Sequence, residues 1–127
     1  MIITVKMAEK PHRKLIIWQK SVEYSVLVYK LTETFPTGEK FGVISQLRRA
    51  SLSISLNIAE GAGRNHIKEF IQFLGIANGS IAELDTLIEI VLKLNYINLE
   101  QFNELQEKLN ELSALNNGLI KSLKQRS

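Results

Sequence analysis

Apolar positions recur at intervals of three and four along nearly the whole chain, interrupted only by short polar or glycine-bearing stretches. That is the period of an α-helix, on which residues i, i+3, i+4 and i+7 share a face. The pattern predicts four helices, over residues 14–34, 38–61, 66–94 and 99–124, after a loose leader at 1–13. In the first helix Leu15, Trp18, Val22, Ser25 and Tyr29 make one stripe, and Ile17, Tyr24, Val28 and Leu31 make another. Pro36 ends it, because proline lacks the amide hydrogen and disfavours helix at Phe35. Thr37 is placed to cap the second helix, with Glu39 in its first turn favouring the positive dipole end. This helix carries Phe41, Ile44, Leu47, Ile54 and Ile58 on a broad face, and Leu52, Leu56 and Ala59 on another side. Gly61 and Gly63 supply the backbone freedom to stop it.

Asn65 is the predicted N-cap of the third helix, whose stripe is Phe70, Phe73, Leu74, Ala77, Ile81, Leu84, Ile88 and Val91. At 1.5 Å per residue it would be about 43 Å long. Asn78-Gly79 is a turn signal in other settings, but its flanks keep the helical period, so the helix is expected to run through it. Gly75, Ala77, Gly79, Ser80 and Ala82 are small enough for a neighbouring helix to approach closely. Each glycine costs about 1 kcal/mol relative to alanine, and close packing is a reason to tolerate it. In the fourth helix Asn98 and Gln101 have capping-box spacing, and Ile97 and Phe102 have staple spacing. Phe102, Leu105, Leu109, Leu112, Leu115 and Leu119 form its seam, Glu100, Glu104, Glu107 and Glu111 a solvated stripe, and Lys121, Lys124 and Arg126 its end. The expectation is all-α: one domain at 14–127, an antiparallel up-down-up-down four-helix bundle. Helices one and two carry more apolar surface than one bundle can bury, which calls for a second subunit or a partner.

At 127 residues the chain suffices for one domain with a sizeable core. It has no cysteine, which excludes a disulfide framework, Cys-ligated zinc and a thiol nucleophile. No apolar run approaches the roughly 18 residues that span a bilayer. The opening MIITVKM is too short for a signal core and no small-residue cleavage site follows, so a soluble cytoplasmic protein is expected. The net charge of +3 is uneven: residues 1–64 hold ten Lys or Arg against five Glu, and residues 65–127 hold six basic against eight acidic. Either the basic half attracts phosphate, or the halves pair with each other within or between subunits.

Candidate chemistry is sparse. A di-iron bundle needs Glu-x-x-His on two helices. The only histidines are His12 and His66, preceded at that spacing by Glu9, in the leader, and by Gly63, so such a site is excluded. No serine has a histidine and a carboxylate at recognisable spacing. Gly61-Ala62-Gly63 lacks both the preceding strand and the Lys-Ser/Thr ending of a phosphate loop. No catalytic residue, metal or cofactor is expected, and no enzyme.

Two polar groups stand out. Arg48 and Arg49 share a helical hairpin with Asn57, Glu60, Glu69 and Glu83, and pairing about a turn at 62–65 puts residue 49 near residue 80, within a turn of Glu83. They form either an ion-pair network that sets helix register or an anion site. Lys14, Lys20, Arg64 and Lys68 form a basic rim if the start of the first helix meets that turn, a candidate nucleic-acid contact. Trp18 beside them either stacks a base or belongs to the core.

The chain also resembles a known bacterial family. The residues that carry this are Leu15-x-x-Trp18-Gln19-Lys20, Phe35-Pro36, Ser45-Gln46-Leu47-Arg48-Arg49-Ala50, Asn57-Ile58-Ala59-Glu60-Gly61, Lys68-Glu69-Phe70-Ile71-x-Phe73-Leu74 and Gly79-Ser80-Ile81-Ala82-Glu83-Leu84. In order and spacing, over about residues 14–97, they are similar to the four-helix bundle proteins encoded within 23S rRNA intervening sequences. The chain departs at Ser55-Leu56, where that family often has a proline. The resemblance implies a homopentameric barrel of bundles. It also implies kinship with the accessory variability determinants of diversity-generating retroelements, which bind nucleic acid and a reverse transcriptase. Structured RNA or a nucleic-acid-processing protein is thus an expected partner, beside copies of the chain itself, and a protein-interaction scaffold is the alternative. Arg48, Arg49, Asn57, Glu60, Glu69 and Glu83 belong to the family pattern and are structural on that reading.

Overall fold

The computed structural model describes residues 10–127 and turns the helical period into α1 (Ile16–Thr32), α2 (Val43–Ala62), α3 (Ile67–Lys93) and α4 (Leu99–Arg126). The architecture is an all-α helical bundle. Residues 1–9, with the apolar opening and Glu9, lie outside the described residues. The rest of the expected loose leader forms a 3₁₀ turn, Pro11–Lys14, which packs against α1 and α2.

Two helix starts differ from expectation. Thr37 caps nothing: Thr37–Glu39 is a separate 3₁₀ turn, and α2 begins at Val43, with Gly42 at its N-cap and no side-chain cap. The cause is tertiary. Phe35 is buried against the Tyr96 ring, at 5.3 Å between centroids, and the Tyr96 hydroxyl donates to Glu39 Oε2 at 2.6 Å. Holding those groups over the bundle end bends the chain before α2 can start. His66, rather than Asn65, occupies the N-cap of α3, again without a side-chain bond.

The glycines also act otherwise than expected. Among the described residues no glycine has positive φ, and Gly63 sits at φ −81°, ψ −8°, so neither Gly61 nor Gly63 ends α2 by left-handed geometry. Gly61 instead permits contact. A Cβ there would lie 2.7 Å from Phe73 Cβ and 3.3 Å from the Phe70 carbonyl oxygen. Gly75 and Gly79, predicted to admit a neighbouring helix, face open space within this chain. The left-handed residue is Asn95, at φ 62° just past α3. The Tyr96 amide donates to the Val91 carbonyl and the Asn95 amide to the Leu92 carbonyl, the double closure of a Schellman turn. The capping box of α4 forms in both directions between Asn98 and Gln101.

Cross-helix bonds give the register. Ser25 donates to the Ser51 carbonyl and Arg48 to Thr32, so the start of α1 lies beside the end of α2. Gly61 meets Phe70 and Phe73, while further up Ser80 donates to Ser53. Gln106 reaches Asp85 and Asn116 reaches the Leu74 carbonyl across α3 and α4. The Tyr24 hydroxyl donates to the Leu105 carbonyl, joining α1 to α4. Between these contacts Val28, Leu47, Ile54, Ile58, Leu74, Leu84, Ile88, Leu109 and Leu112 fill the core. None of the helices is long and apolar enough to cross a membrane, among the described residues.

Candidate interaction surfaces

The polar stripe of α2 lies along its seam with α3 as three local groups. At one end Arg49 donates to Gln46 Oε1 at 2.8 Å and pairs with Glu83. In the middle Asn57 donates to the Ser53 carbonyl at 2.8 Å and to its hydroxyl, which also accepts from Ser80. At the other end Arg64 bridges Glu60 at 2.9 Å and Glu69 at 3.5 Å, its guanidinium over the Phe73 ring. Arg48 departs from the others: it donates to the Thr32 hydroxyl and the Tyr29 carbonyl, stacked over the Tyr29 ring. It thereby satisfies acceptors at the end of α1, where helix carbonyls lack partners.

The basic candidates differ in their partners. Lys20 pairs with Glu111 of α4 at 3.3 Å, while Arg64 serves its two glutamates at the α2–α3 turn. Lys68 is exposed one residue into α3, and Lys14 closes the N-terminal 3₁₀ turn. Trp18 packs on the core, with His12 edge-on at 4.8 Å and the Arg13 guanidinium at 5.4 Å, so neighbours already occupy its ring.

The surplus apolar surface on α1 and α2 is real. Val22, Val26 and Tyr29 of α1 and Leu52 and Leu56 of α2 are all exposed, Leu56 by 65%. Between the two helices they line an open apolar groove of about 490 Å³, with Ser25 and Ser55 on its walls and Lys30 at its rim.

Asn116 was not foreseen. It is fully buried between α3 and α4, donating to the Leu74 carbonyl and Asn78 Oδ1, while its own Oδ1 has no partner. The sequence carries the signal, since 105, 109, 112, 116 and 119 keep the helical period as well as the seam through Leu115 does. Burial pushes the Tyr24 hydroxyl far above its usual range, with Asp85 adding to the shift, and the bond to Glu39 raises that of Tyr96. Among the described residues no three His, Asp or Glu side chains are grouped to hold a metal.

Comparison with known proteins adds the family. The family model of the 23S rRNA-intervening sequence protein matches residues 13–118. A crystal structure of a protein of unknown function from the S23 ribosomal protein family of Bacteroides thetaiotaomicron superposes with a TM-score of 0.78. It is 27% identical, and the match covers 84% of this chain and 99% of that one. No curated protein matches this chain.

Proposed function

The chain belongs to the 23S rRNA-intervening sequence protein family, and from that premise we propose that it is a non-enzymatic bundle that works as a homo-oligomer and binds structured RNA in the cytoplasm. The single observation that carries the assembly in this reading is the exposed apolar face of α1 and α2, which no other part of the described chain covers. A face of that kind on a small monomer marks an interaction site. The subunit is an antiparallel up-down-up-down bundle, a topology supported by bonds that pair the start of one helix with the end of the next. Copies close into a homopentameric barrel, the assembly the family resemblance implied. The net positive charge supports the RNA reading.

Light scattering tests the assembly: a mass of about five chains is expected, and a single-chain mass overturns it. A salt titration of RNA binding tests the second half. Phosphate contacts give affinity that falls steeply with salt. Absence of binding at low salt overturns the RNA reading and leaves a protein-interaction scaffold.

A further inference from the structure

The sequence divides its charge between halves, but folding sorts it between ends. The start of α1 lies beside the end of α2, and Arg64 at the α2–α3 turn shares a groove with Arg126 of α4. One end of the bundle thus collects Arg13, Arg64, Lys68, Lys121, Lys124 and Arg126. Among the described residues its acidic side chains are Glu60 and Glu69, both engaged by Arg64. The opposite end, where Tyr96 meets Glu39, holds Glu33, Glu39, Glu89 and Glu100 against Lys30, Lys40 and Lys93.

At the basic end lies a groove of about 210 Å³, walled by Arg64, Asn65, His66 and Arg126 and floored by Ile67, Phe70 and Leu123. Cations around a small apolar floor suit a nucleotide, whose base is apolar on its faces and whose phosphates are anionic. They suit an anionic bilayer less well, because only Ile16 protrudes at this end among the large apolar residues described, whereas Phe41 at 89% exposure, Leu94 and Leu99 sit together at the other end.

We propose that this basic end is where RNA docks, the groove taking an unstacked base from a single-stranded end or loop while the surrounding arginines and lysines hold its flanking phosphates. The inference rests on the RNA-binding reading above and assigns it a place, one that includes the α4 terminus rather than helices one and two alone.

Fluorescence anisotropy with a labelled short oligouridine, and with a blunt RNA duplex of the same length, tests it. The variant Lys121→Gln/Lys124→Gln/Arg126→Gln alters exposed side chains and should keep the wild-type circular dichroism. Losing up to three phosphate contacts should flatten its log–log salt slope by about 2. Lys40→Gln/Lys93→Gln, at the opposite end, should bind as wild type does. If wild type binds neither probe at low salt, the RNA reading itself falls. If wild type binds and the α4 variant binds equally well, RNA docks elsewhere and this inference falls. Equal affinity for duplex and oligouridine overturns the unstacked-base groove, and preference for poly-glutamate over both probes points to an acidic protein instead.

Discussion

Gly61 is the residue on which the closest helix contact depends. Alanine would gain about 1 kcal/mol of helix propensity there. Its methyl would, however, meet Phe73 Cβ, which the α3 backbone holds in place, and overpacking of that kind costs about 1–3 kcal/mol. Gly61→Ala should therefore lower the denaturant midpoint, whereas Gly79→Ala, with nothing near the new methyl, should raise it by up to about 1 kcal/mol in stability. The reverse order would contradict the packing described. Tyr24 makes a different prediction. Its hydroxyl is held protonated in the folded state, so above about pH 10 the unfolded chain ionises first and stability falls as pH rises. Tyr24→Phe should lose about 1 kcal/mol near neutrality with its hydrogen bond and flatten that alkaline decline, as followed by thermal melts between neutral and alkaline pH. An unchanged decline would mean that Tyr24 does not contribute to it.

Among the elements, those legible in the sequence are the ones whose causes are local. The capping box of α4 needs only Asn98 and Gln101, three residues apart, and both of its bonds form. The passage of α3 through Asn78-Gly79 follows from the period of its flanks. The late start of α2 was not legible, because it depends on Phe35 and Glu39 meeting Tyr96 from across the bundle. Asn116 was missed because two residues, Leu115 and Asn116, compete for one seam position, and core geometry selects the polar one. Its unpartnered Oδ1 has lost its water without gaining a donor, a cost of about 1–3 kcal/mol. Asn116→Leu should accordingly raise the melting temperature. It should also loosen the α3–α4 register, since a buried amide that bonds at one position penalises shifted alignments. Broader amide NMR lines together with a higher melting temperature are expected, and a fall in melting temperature would show the amide to be net stabilising.

At the scale of the molecule the exposed face of α1 and α2 makes the sharpest prediction. Val26→Glu/Leu56→Glu places charge on two exposed positions, where substitutions usually change stability by under about 0.5 kcal/mol. The variant should keep the wild-type circular dichroism and yet elute with the mass of one chain, with a lower melting temperature because assembly no longer stabilises the fold. Unchanged assembly would move the interface elsewhere. The sequence by itself determined the helices, the surplus face and the family, because period and local spacing are written residue by residue. It also brought Arg49 within reach of Glu83, since pairing about a short turn fixes which positions meet. Only the tertiary structure decided that Arg48 serves the end of α1, that Gly61 exists for contact, and that Lys20 pairs with α4 while Arg64 pairs across the α2–α3 turn. It also re-sorted charge from halves to ends. The physical reason is shared by all of these: a side chain's partner depends on which distant segment folding lays beside it, and linear spacing does not record that distance.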